Sequence, residues 1–301
     1  MVTFKRVMAQ CFIWIVLLLI YLPILLLIVW SFNNSTVLGV WQTGDGINGS
    51  GFTGDVYLSL FRSREIGEAL GNTVILAVTA GIVSTVLGTM GAVGAYYCKR
   101  RTVTIVESVN QIPVVNAEVI IAMSLTVMFV MVGNIIFKES IFSYWTLLIG
   151  HVVLAAPFVY LNVKPKLQQM DPALYEAALD LNATPTIAMR KVVIPQILPG
   201  ILSGFMLAIS LSLDDFIVTA FTSGPGLLSG HATIVTLSTY VQAKIKKGPV
   251  PPEMRALTTF IFLLVVGIAI GFTVYNNVRA KRGSAHRSKR ERALARAEGR
   301  R

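Results

Sequence analysis

The sequence predicts an all-α integral membrane protein with six transmembrane helices and with both termini in the cytoplasm. Composition is the first observation, because the 301 residues are 54% hydrophobic and only 14% charged, whereas soluble globular domains carry about 25% charged residues. The second is a set of six long apolar stretches. The third is an uneven distribution of Lys and Arg between the segments that separate them. Lipid offers no hydrogen-bond partners, so the backbone N–H and C=O groups of a span must bond to one another in a helix or a closed barrel. Apolar stretches of this length are helices, because barrel strands are shorter.

Each predicted span holds about 20 residues or more, the helical length that crosses a hydrocarbon core of about 30 Å. The predicted spans are Cys11–Trp30, Thr73–Tyr97, Ile112–Val132, Tyr144–Val163, Ile197–Phe221 and Leu257–Val278. We therefore predict a transmembrane domain over residues 1–278 and a basic cytoplasmic tail over residues 279–301. The tail is poor in aromatic residues, so we expect it to be disordered or to lie on anionic headgroups.

The first apolar stretch follows Lys5 and Arg6, as a cleaved signal peptide would. Its apolar run of about 20 residues exceeds the usual 7–15, and no A-x-A site follows it. We therefore expect an uncleaved first span, kinked at Pro23.

The distribution of Lys and Arg predicts the orientation. With a cytoplasmic N-terminus, the inner segments hold 19 of these residues and the outer loops hold seven. Cytoplasmic segments carry the excess of positive charge, and here the tail and the cluster Lys99–Arg101 supply most of it. Ten of the 26 basic residues lie in the tail, so the net charge of +11 is no basis for a nucleic-acid partner.

The loop between the fourth and fifth spans, about residues 164–196, faces the cytoplasm and has the pattern of two short helices. Asp171 can cap the first, with Pro172 at its first position. Asn182 can take the left-handed conformation that ends it. Thr184 can cap the second helix, which Pro195 is expected to limit. A capped helix pair of this kind suits mechanical contact with a partner.

Three motifs in this loop, Glu176-Ala177-Ala178, Asn182 and Val192-x-Ile194-Pro195, resemble the EAA loop of bacterial ABC importer permeases. The family signature has Glu-Ala-Ala, three residues, Gly, nine residues and Ile-x-Leu-Pro, and the spacing matches throughout. Asn182 replaces the glycine, and Asn tolerates the left-handed turn best after Gly. The resemblance implies the type I importer permease architecture, and it implies that this loop docks in a groove of an ATPase subunit.

The residue types in the loop fit that implied contact. Ala177 and Ala178 are small, so a partner can approach the helix backbone closely, and Glu176 offers one charge to a cation in the groove. The chain contains no Walker-type phosphate loop. We therefore expect that this chain binds no cofactor and that a partner subunit uses the ATP.

Three carboxylates lie within the predicted spans. Asp214 and Asp215 follow Ser212 in the fifth span, and Glu118 lies in the third. Each carboxylate near a helix centre in lipid costs about 2.5–3.5 kcal/mol. Because no Lys or Arg lies within any predicted span, these groups are protonated, partnered by another subunit or available to a cationic substrate. A structural role is the alternative, since either aspartate could cap a broken helix.

The segment Ser210–Gly226 and the motif Tyr21-Leu22-Pro23-Ile24 are similar to spermidine/putrescine-type permeases, specifically the smaller of their two permease subunits. The resemblance implies a substrate path for polyamines that involves Asp214, Asp215 and Glu118, together with Ser212 and Trp41. It also implies a second permease subunit, two ATPase subunits and an extracytoplasmic substrate-binding protein as partners, in the bacterial cytoplasmic membrane. Glu118 stands where the family commonly has Asp directly after Pro.

Other functions compete with this one. An ABC importer permease for another small solute shares the EAA loop, although an anionic solute would favour Lys or Arg in the spans. An ion-coupled secondary transporter could use the same carboxylates but leaves the loop unexplained. A membrane-embedded enzyme would need a cluster of nucleophile, base or metal ligands, which the sequence lacks. His151 in the fourth span is expected to make an interhelical hydrogen bond, with a proton relay as the alternative.

Overall fold

The computed structural model describes residues 2–35, 40–43, 51–224, 234–248, 251–263 and 266–267, and this part of the chain is helical and contains no strand. The chain divides into two compact units. One unit comprises Met1–Arg62 with Gly248–Arg301, and the other comprises Ser63–Lys247.

The first unit contains three described helices: α1 (Val2–Trp30), α2 (Asp55–Arg62) and a helix over residues 252–263. The turn after α1 is organised by the buried side chain of Asn33. Its amide nitrogen donates to the carbonyls of Gln42 and Gly51 at 3.0 and 2.9 Å. Its amide oxygen accepts from the backbone N–H groups of Ser35 and Gln42. All four hydrogen-bonding positions of this amide are therefore used.

The second unit contains nine described α-helices and two single π-helical turns. The helices are α3 (Arg64–Tyr96), α4 (Arg100–Val115), α5 (Glu118–Val132), α6 (Tyr144–Gln169), α7 (Pro172–Asp180), α8 (Pro185–Ala188), α9 (Ile194–Asp214), α10 (Ile217–Thr222) and, after a further segment, α11 (Leu237–Lys247). The π turns are Gly133–Phe137, which extends α5, and Met189–Val193, which joins α8 to α9.

Helices α3, α6 and α9 pack against one another and form the centre of the second unit. Val159 of α6 is fully buried between them. A Cβ atom added at Gly88 of α3 would lie 2.7 Å from the Val159 Cβ and 2.8 Å from the Ala156 carbonyl oxygen. One added at Gly204 of α9 would lie 3.1 Å from the Val159 Cγ1. Glycine on both neighbours therefore lets the helix backbones approach α6 closely, as small residues do in membrane bundles.

Five helical segments of the described chain are long and apolar enough to cross a membrane, and they correspond to the first five predicted spans. They are Arg6–Trp30, Arg64–Tyr96, Glu118–Phe137, Tyr144–Gln169 and Pro185–Asp214. The sixth predicted span, Leu257–Val278, lies largely outside the described residues, although residues 257–263 and 266–267 are helical. The basic tail lies wholly outside them.

Two of the predicted spans are extended in the structure by turns whose side chains are buried, so packing as well as hydropathy sets the limits of these helices. Helix α3 begins at Arg64 rather than Thr73, and its added turns bury Ile66 and Ala69. Helix α6 continues past Val163 to Gln169, and the added part buries Leu167 completely. The predicted cytoplasmic loop is therefore shorter than its sequence limits, because its first residues belong to α6.

The close approach at Gly88 yields a stability prediction. Replacing Gly88 with Ala should lower the free energy of unfolding by about 1–3 kcal/mol, because the new methyl group overlaps a backbone carbonyl that cannot rotate away. The measurement is the thermal unfolding midpoint of the purified protein in detergent.

Gly94→Ala is the matched control on the same helix, since no atom lies within 4 Å of a Cβ at that position. It should be neutral or slightly stabilising, because Ala has the higher helix propensity. Equal midpoints for the two variants would contradict the described packing of α3 on α6.

Candidate functional site

The third and fifth predicted spans are each interrupted at the position of a carboxylate. The predicted continuous helix Ile112–Val132 was wrong, because α4 ends at Val115 and α5 begins at Glu118. Asn116 and Ala117 between them are extended, with φ/ψ of −74°/147° and −61°/134°. Two consecutive extended residues cannot continue an α-helix, so Glu118 lies in the first turn of a new helix.

The predicted continuous helix Ile197–Phe221 was also wrong. Helix α9 ends at Asp214, Asp215 is extended with φ/ψ of −64°/124°, and α10 begins at Ile217. The Asp215 carboxylate accepts from the backbone N–H groups of Val218 at 3.3 Å and Thr219 at 2.8 Å. Asp215 therefore caps the helix after the break, which is the structural role that the sequence had left open.

The two breaks lie at the same level of the second unit. Ala122 of α5 and Val218 of α10 belong to one buried cluster with Leu154 of α6. About one turn further along both helices, the Thr126 hydroxyl donates to the Phe221 carbonyl at 2.8 Å. Helices α5 and α10 therefore run side by side in the same direction, and both begin at the same end. The structure thus brings the Glu118 break and the Asp214–Asp215 break together.

The three carboxylates have different surroundings. Asp215 is 7% exposed, whereas Asp214 and Glu118 are exposed. Glu118 lies in the first turn of α5, where a negative charge is favourable. Asp214 is the last residue of α9, and its carboxylate makes no hydrogen bond or ion pair with the residues that the structure describes. The helix C-terminus carries partial negative charge as well, so the end of α9 attracts a cation.

Ser212 lies within a buried polar group centred on His151. The Ser212 hydroxyl lies 2.8 Å from Nδ1 of His151, and the Thr219 hydroxyl lies 2.9 Å from Nε2. The predicted interhelical hydrogen bond of His151 is therefore confirmed. Thr219 was not predicted from the sequence, although its position four residues after Asp215 was the available signal. Ser212 remains a predicted path residue, and its side chain is buried on the His151 side.

Trp41, the remaining predicted path residue, belongs to the first unit. Its ring contacts Trp30 edge-on at a centroid distance of 6.2 Å and lies 4.7 Å from the ring of Phe52. Trp41 is half-buried in this aromatic group. Its role in a substrate path stays a prediction.

The first half of the predicted coupling loop has the expected caps. Oδ1 of Asp171 accepts from the backbone N–H of Ala173 at 3.0 Å at the start of α7. Asn182 has a φ of 63°, which is the predicted left-handed conformation. The turn is closed by the N–H of Asn182 to the Leu179 carbonyl and by the N–H of Ala183 to the Ala178 carbonyl.

The second half of the loop differs from the prediction. The Thr184 hydroxyl caps α8 by accepting from the N–H of Ile187 at 3.4 Å, as expected. Pro195, however, does not end this helix. The chain passes through the π turn Met189–Val193, where the N–H of Ile194 donates to the Met189 carbonyl, and continues as α9. A π turn shifts the hydrogen-bond register by one residue, so the helix continues although Pro195 has no N–H.

Helix α7 is held on one side and exposed on the other. Tyr175 packs on the buried core, and its ring lies 5.5 Å from that of Tyr97. Glu176 and Ala177 are exposed, Ala178 is half-buried, and Leu181 is 85% exposed. The Glu-Ala-Ala motif therefore presents a charge, a small residue and a nearby apolar side chain at the surface of a fixed helix.

Comparison with known proteins shows similarity to membrane components of transport systems. Residues 84–282 match the family described as binding-protein-dependent transport system inner membrane component. The chain is 30% identical to the spermidine/putrescine transport system permease protein PotC of Escherichia coli K12, over 83% of this chain and 87% of that protein. It is 32% identical to the putrescine transport system permease protein PotI of the same organism, over 85% of each chain.

Solved structures show the same fold. One chain of a bacterial alginate ABC transporter, in complex with an alginate pentasaccharide-bound periplasmic protein, aligns with a TM-score of 0.64. The alignment covers 88% of this chain and 91% of that chain at 19% sequence identity. This likeness shows that the aligned part of the chain has the same fold as that transporter chain.

The left-handed turn between α7 and α8 yields a prediction for the loop. Asn182→Val should weaken the turn by roughly 1–2 kcal/mol or more, because a β-branched side chain is disfavoured at positive φ. Exchange of the Ala183 amide should then become at least about fivefold faster, as measured by hydrogen-exchange mass spectrometry. Asn182→Gly should leave this exchange close to the parent rate, since glycine adopts this conformation readily. A parent-like rate in Asn182→Val would contradict the described turn.

Proposed function

The chain belongs to the family of binding-protein-dependent transport system inner membrane components, and from this premise we propose that it is a permease subunit of an ATP-driven polyamine importer. It forms part of the translocation path for spermidine or putrescine, and it couples to a separate ATPase subunit. The chain is a transport component rather than an enzyme, as are the permeases to which it is homologous.

The environment of Asp214 is the main observation in favour of a polyamine substrate. Its carboxylate is exposed at the end of α9, beside the level at which α5 begins with Glu118. A polyamine has ammonium groups that need carboxylates and methylene stems that suit apolar walls. Asp214 and Glu118 supply separate negative charges at one level of a largely apolar unit. The sequence relatives named for spermidine and putrescine support the same class.

The role of Asp215 in this proposal differs from that of Asp214. Both Asp215 oxygens already accept backbone N–H groups of α10, and the group is buried. We therefore assign substrate contact to Asp214 and the shaping of the break to Asp215. Ser212 acts with Asp215, and Trp41 contributes to the outer part of the path.

The proposed coupling surface is the exposed side of α7. Glu176 and Ala177 face away from the core, while Tyr175 fixes the helix from the other side. Ala178 supports the helix, and Asn182 sets the turn that leads into α8 and α9. Pro195 lies where the helical run Pro185–Asp214 enters the bundle. A rigid helix held in this way can transmit a displacement of the ATPase to α9.

The assembly that follows contains a second homologous permease subunit, two ATPase subunits and an extracytoplasmic substrate-binding protein. The chain is a multi-pass protein of the bacterial cytoplasmic membrane, with both termini inside. An ion-coupled secondary transporter is the weaker alternative, because it leaves the capped pair α7–α8 without a role.

Asp214→Asn tests the substrate class, since it removes charge and keeps shape. Loss of one member of a desolvated charge pair typically costs 2–5 kcal/mol, which corresponds to about 30-fold or more in affinity. We expect the KM for ATP-dependent spermidine or putrescine uptake to rise by at least about 30-fold in proteoliposomes that contain the whole importer. Membrane insertion and binding of the ATPase subunit should stay normal.

Glu139→Gln is the control for this variant, because its carboxylate is exposed in a predicted outer loop where water and salt screen it. It should transport at the parent rate. Uptake of polyamines by Asp214→Asn at the parent KM would refute the assignment of Asp214 to the path.

Glu176→Lys tests the coupling surface. Reversing the charge of Glu176 on the exposed side of α7 should abolish transport while the protein remains inserted, because the loop no longer seats in its ATPase. Copurification of the ATPase subunit with the variant is the measurement, and a strong loss is expected. Full recovery of the ATPase together with normal uptake would show that α7 is not the contact.

A further inference from the structure

The imidazole of His151 contacts both sides of the break in the fifth span. Ser212 belongs to α9, before the break, and its hydroxyl lies 2.8 Å from Nδ1. Thr219 belongs to α10, after the break, and its hydroxyl lies 2.9 Å from Nε2. His151 itself belongs to α6, so one ring ties two helix segments to a third. All three side chains are buried.

We propose that His151 is a positioning residue for transport, which clamps the α9–α10 break and so fixes the place from which Asp214 meets the substrate. This inference rests on the proposed function, and it concerns residues that make no contact with the substrate themselves. The clamp consists of His151, Ser212, Thr219 and Asp215.

The hydrogen bonds of the clamp have one consistent direction. Oδ1 of Asp215 accepts from the Val218 N–H, and Oδ2 accepts from the Thr219 N–H. The Thr219 hydroxyl also lies 3.1 Å from Oδ2. A carboxylate only accepts, so the Thr219 hydroxyl donates its one proton to it. The Thr219 oxygen then accepts from the Nε2–H of His151. The other ring nitrogen, Nδ1, is left as an acceptor for the Ser212 hydroxyl.

This direction gives each side chain a separate task. Thr219 links Asp215 to the imidazole of His151 by hydrogen bonds. The imidazole in turn is hydrogen-bonded to Ser212, which lies two residues before Asp214. The second ring nitrogen is essential, because an imidazole with one partner would hold only one side of the break. Buried networks that are fully satisfied make a local arrangement rigid. The angle between α9 and α10, and with it the position of Asp214, therefore depends on His151.

The packing of α6 against α10 supports the same assignment. A Cβ atom at Gly150, the residue before His151, would lie 2.7 Å from Val218 Cγ1 and 3.1 Å from the Thr222 side chain. The backbones of α6 and α10 therefore approach closely at the position of the ring. This close approach brings the imidazole within hydrogen-bond distance of Thr219.

Thr219→Val tests the clamp, because it keeps the shape of the side chain and removes the hydroxyl. We expect the KM for polyamine uptake by the whole reconstituted importer to rise about tenfold, while the maximal rate changes less than twofold. Thr219→Ser should restore the parent KM. His151→Leu should raise the KM at least as much, and combining it with Thr219→Val should add little, since both act on one network.

Thr222→Val is the matched control. Thr222 is also fully buried on α10, but its hydroxyl donates only to the Val218 carbonyl of its own helix, at 2.7 Å. This variant should leave the KM unchanged. An equal rise of the KM in Thr219→Val and Thr222→Val would overturn the proposal, and so would an unchanged KM in Thr219→Val.

Hydrogen exchange separates this inference from the proposed function, because it requires no substrate. In Thr219→Val, the capped amides of Val218 and Thr219 should exchange at least about fivefold faster than in the parent, whereas Thr222→Val should leave them protected. Unchanged exchange in Thr219→Val means that no clamp exists, whatever the transport assay gives. Absence of polyamine uptake in the parent refutes the proposed function, and the exchange result still decides whether the Thr219 hydroxyl holds the break.

Discussion

Hydrocarbon offers no hydrogen-bond partner to a backbone amide, and the arrangement of this chain follows from that constraint. Five described segments meet it as long helices. Where α9 stops, the Asp215 carboxylate takes the free N–H groups of α10. At the far end of α10, Thr126 donates to the Phe221 carbonyl. Irregular backbone at membrane depth is tolerated only inside protein or beside a cavity, and the break after α9 lies where the bundle supplies polar partners.

Close packing of the bundle makes these polar contacts possible. Gly88 and Gly204 let α3 and α9 approach α6 at Val159, and Gly150 lets α10 approach the same helix about two turns earlier. Because α6 is contacted on several sides, His151 reaches groups on α9 and α10 together. The geometry of the polar group around His151 therefore depends on the positions at which glycine allows the helices to pack closely.

The run from Pro185 to Asp214 connects the two regions to which we assign function. It begins at α8, beside the left-handed turn at Asn182, passes through one π turn and ends at the break. At 1.5 Å per residue its 30 residues span roughly 45 Å. A displacement at the coupling loop therefore has a continuous helical route to Asp214. The π turn before Pro195 keeps this helical run continuous. A helix end at that position would separate the coupling loop from the break at Asp214.

The sequence by itself determined the membrane class, five of the spans, and the helix caps and left-handed turn of the coupling loop. These depend on hydropathy and on short-range caps such as Asp171 and Thr184, which act within a few residues. The EAA spacing also identified the family. Only the tertiary structure decided that the spans break at Asn116 and Asp215 and that the two breaks share one level. It also separated exposed Asp214 from buried Asp215. The physical reason is that the break after α9 also depends on His151 of α6, which is distant in sequence, and local propensity does not encode which helix supplies such a partner.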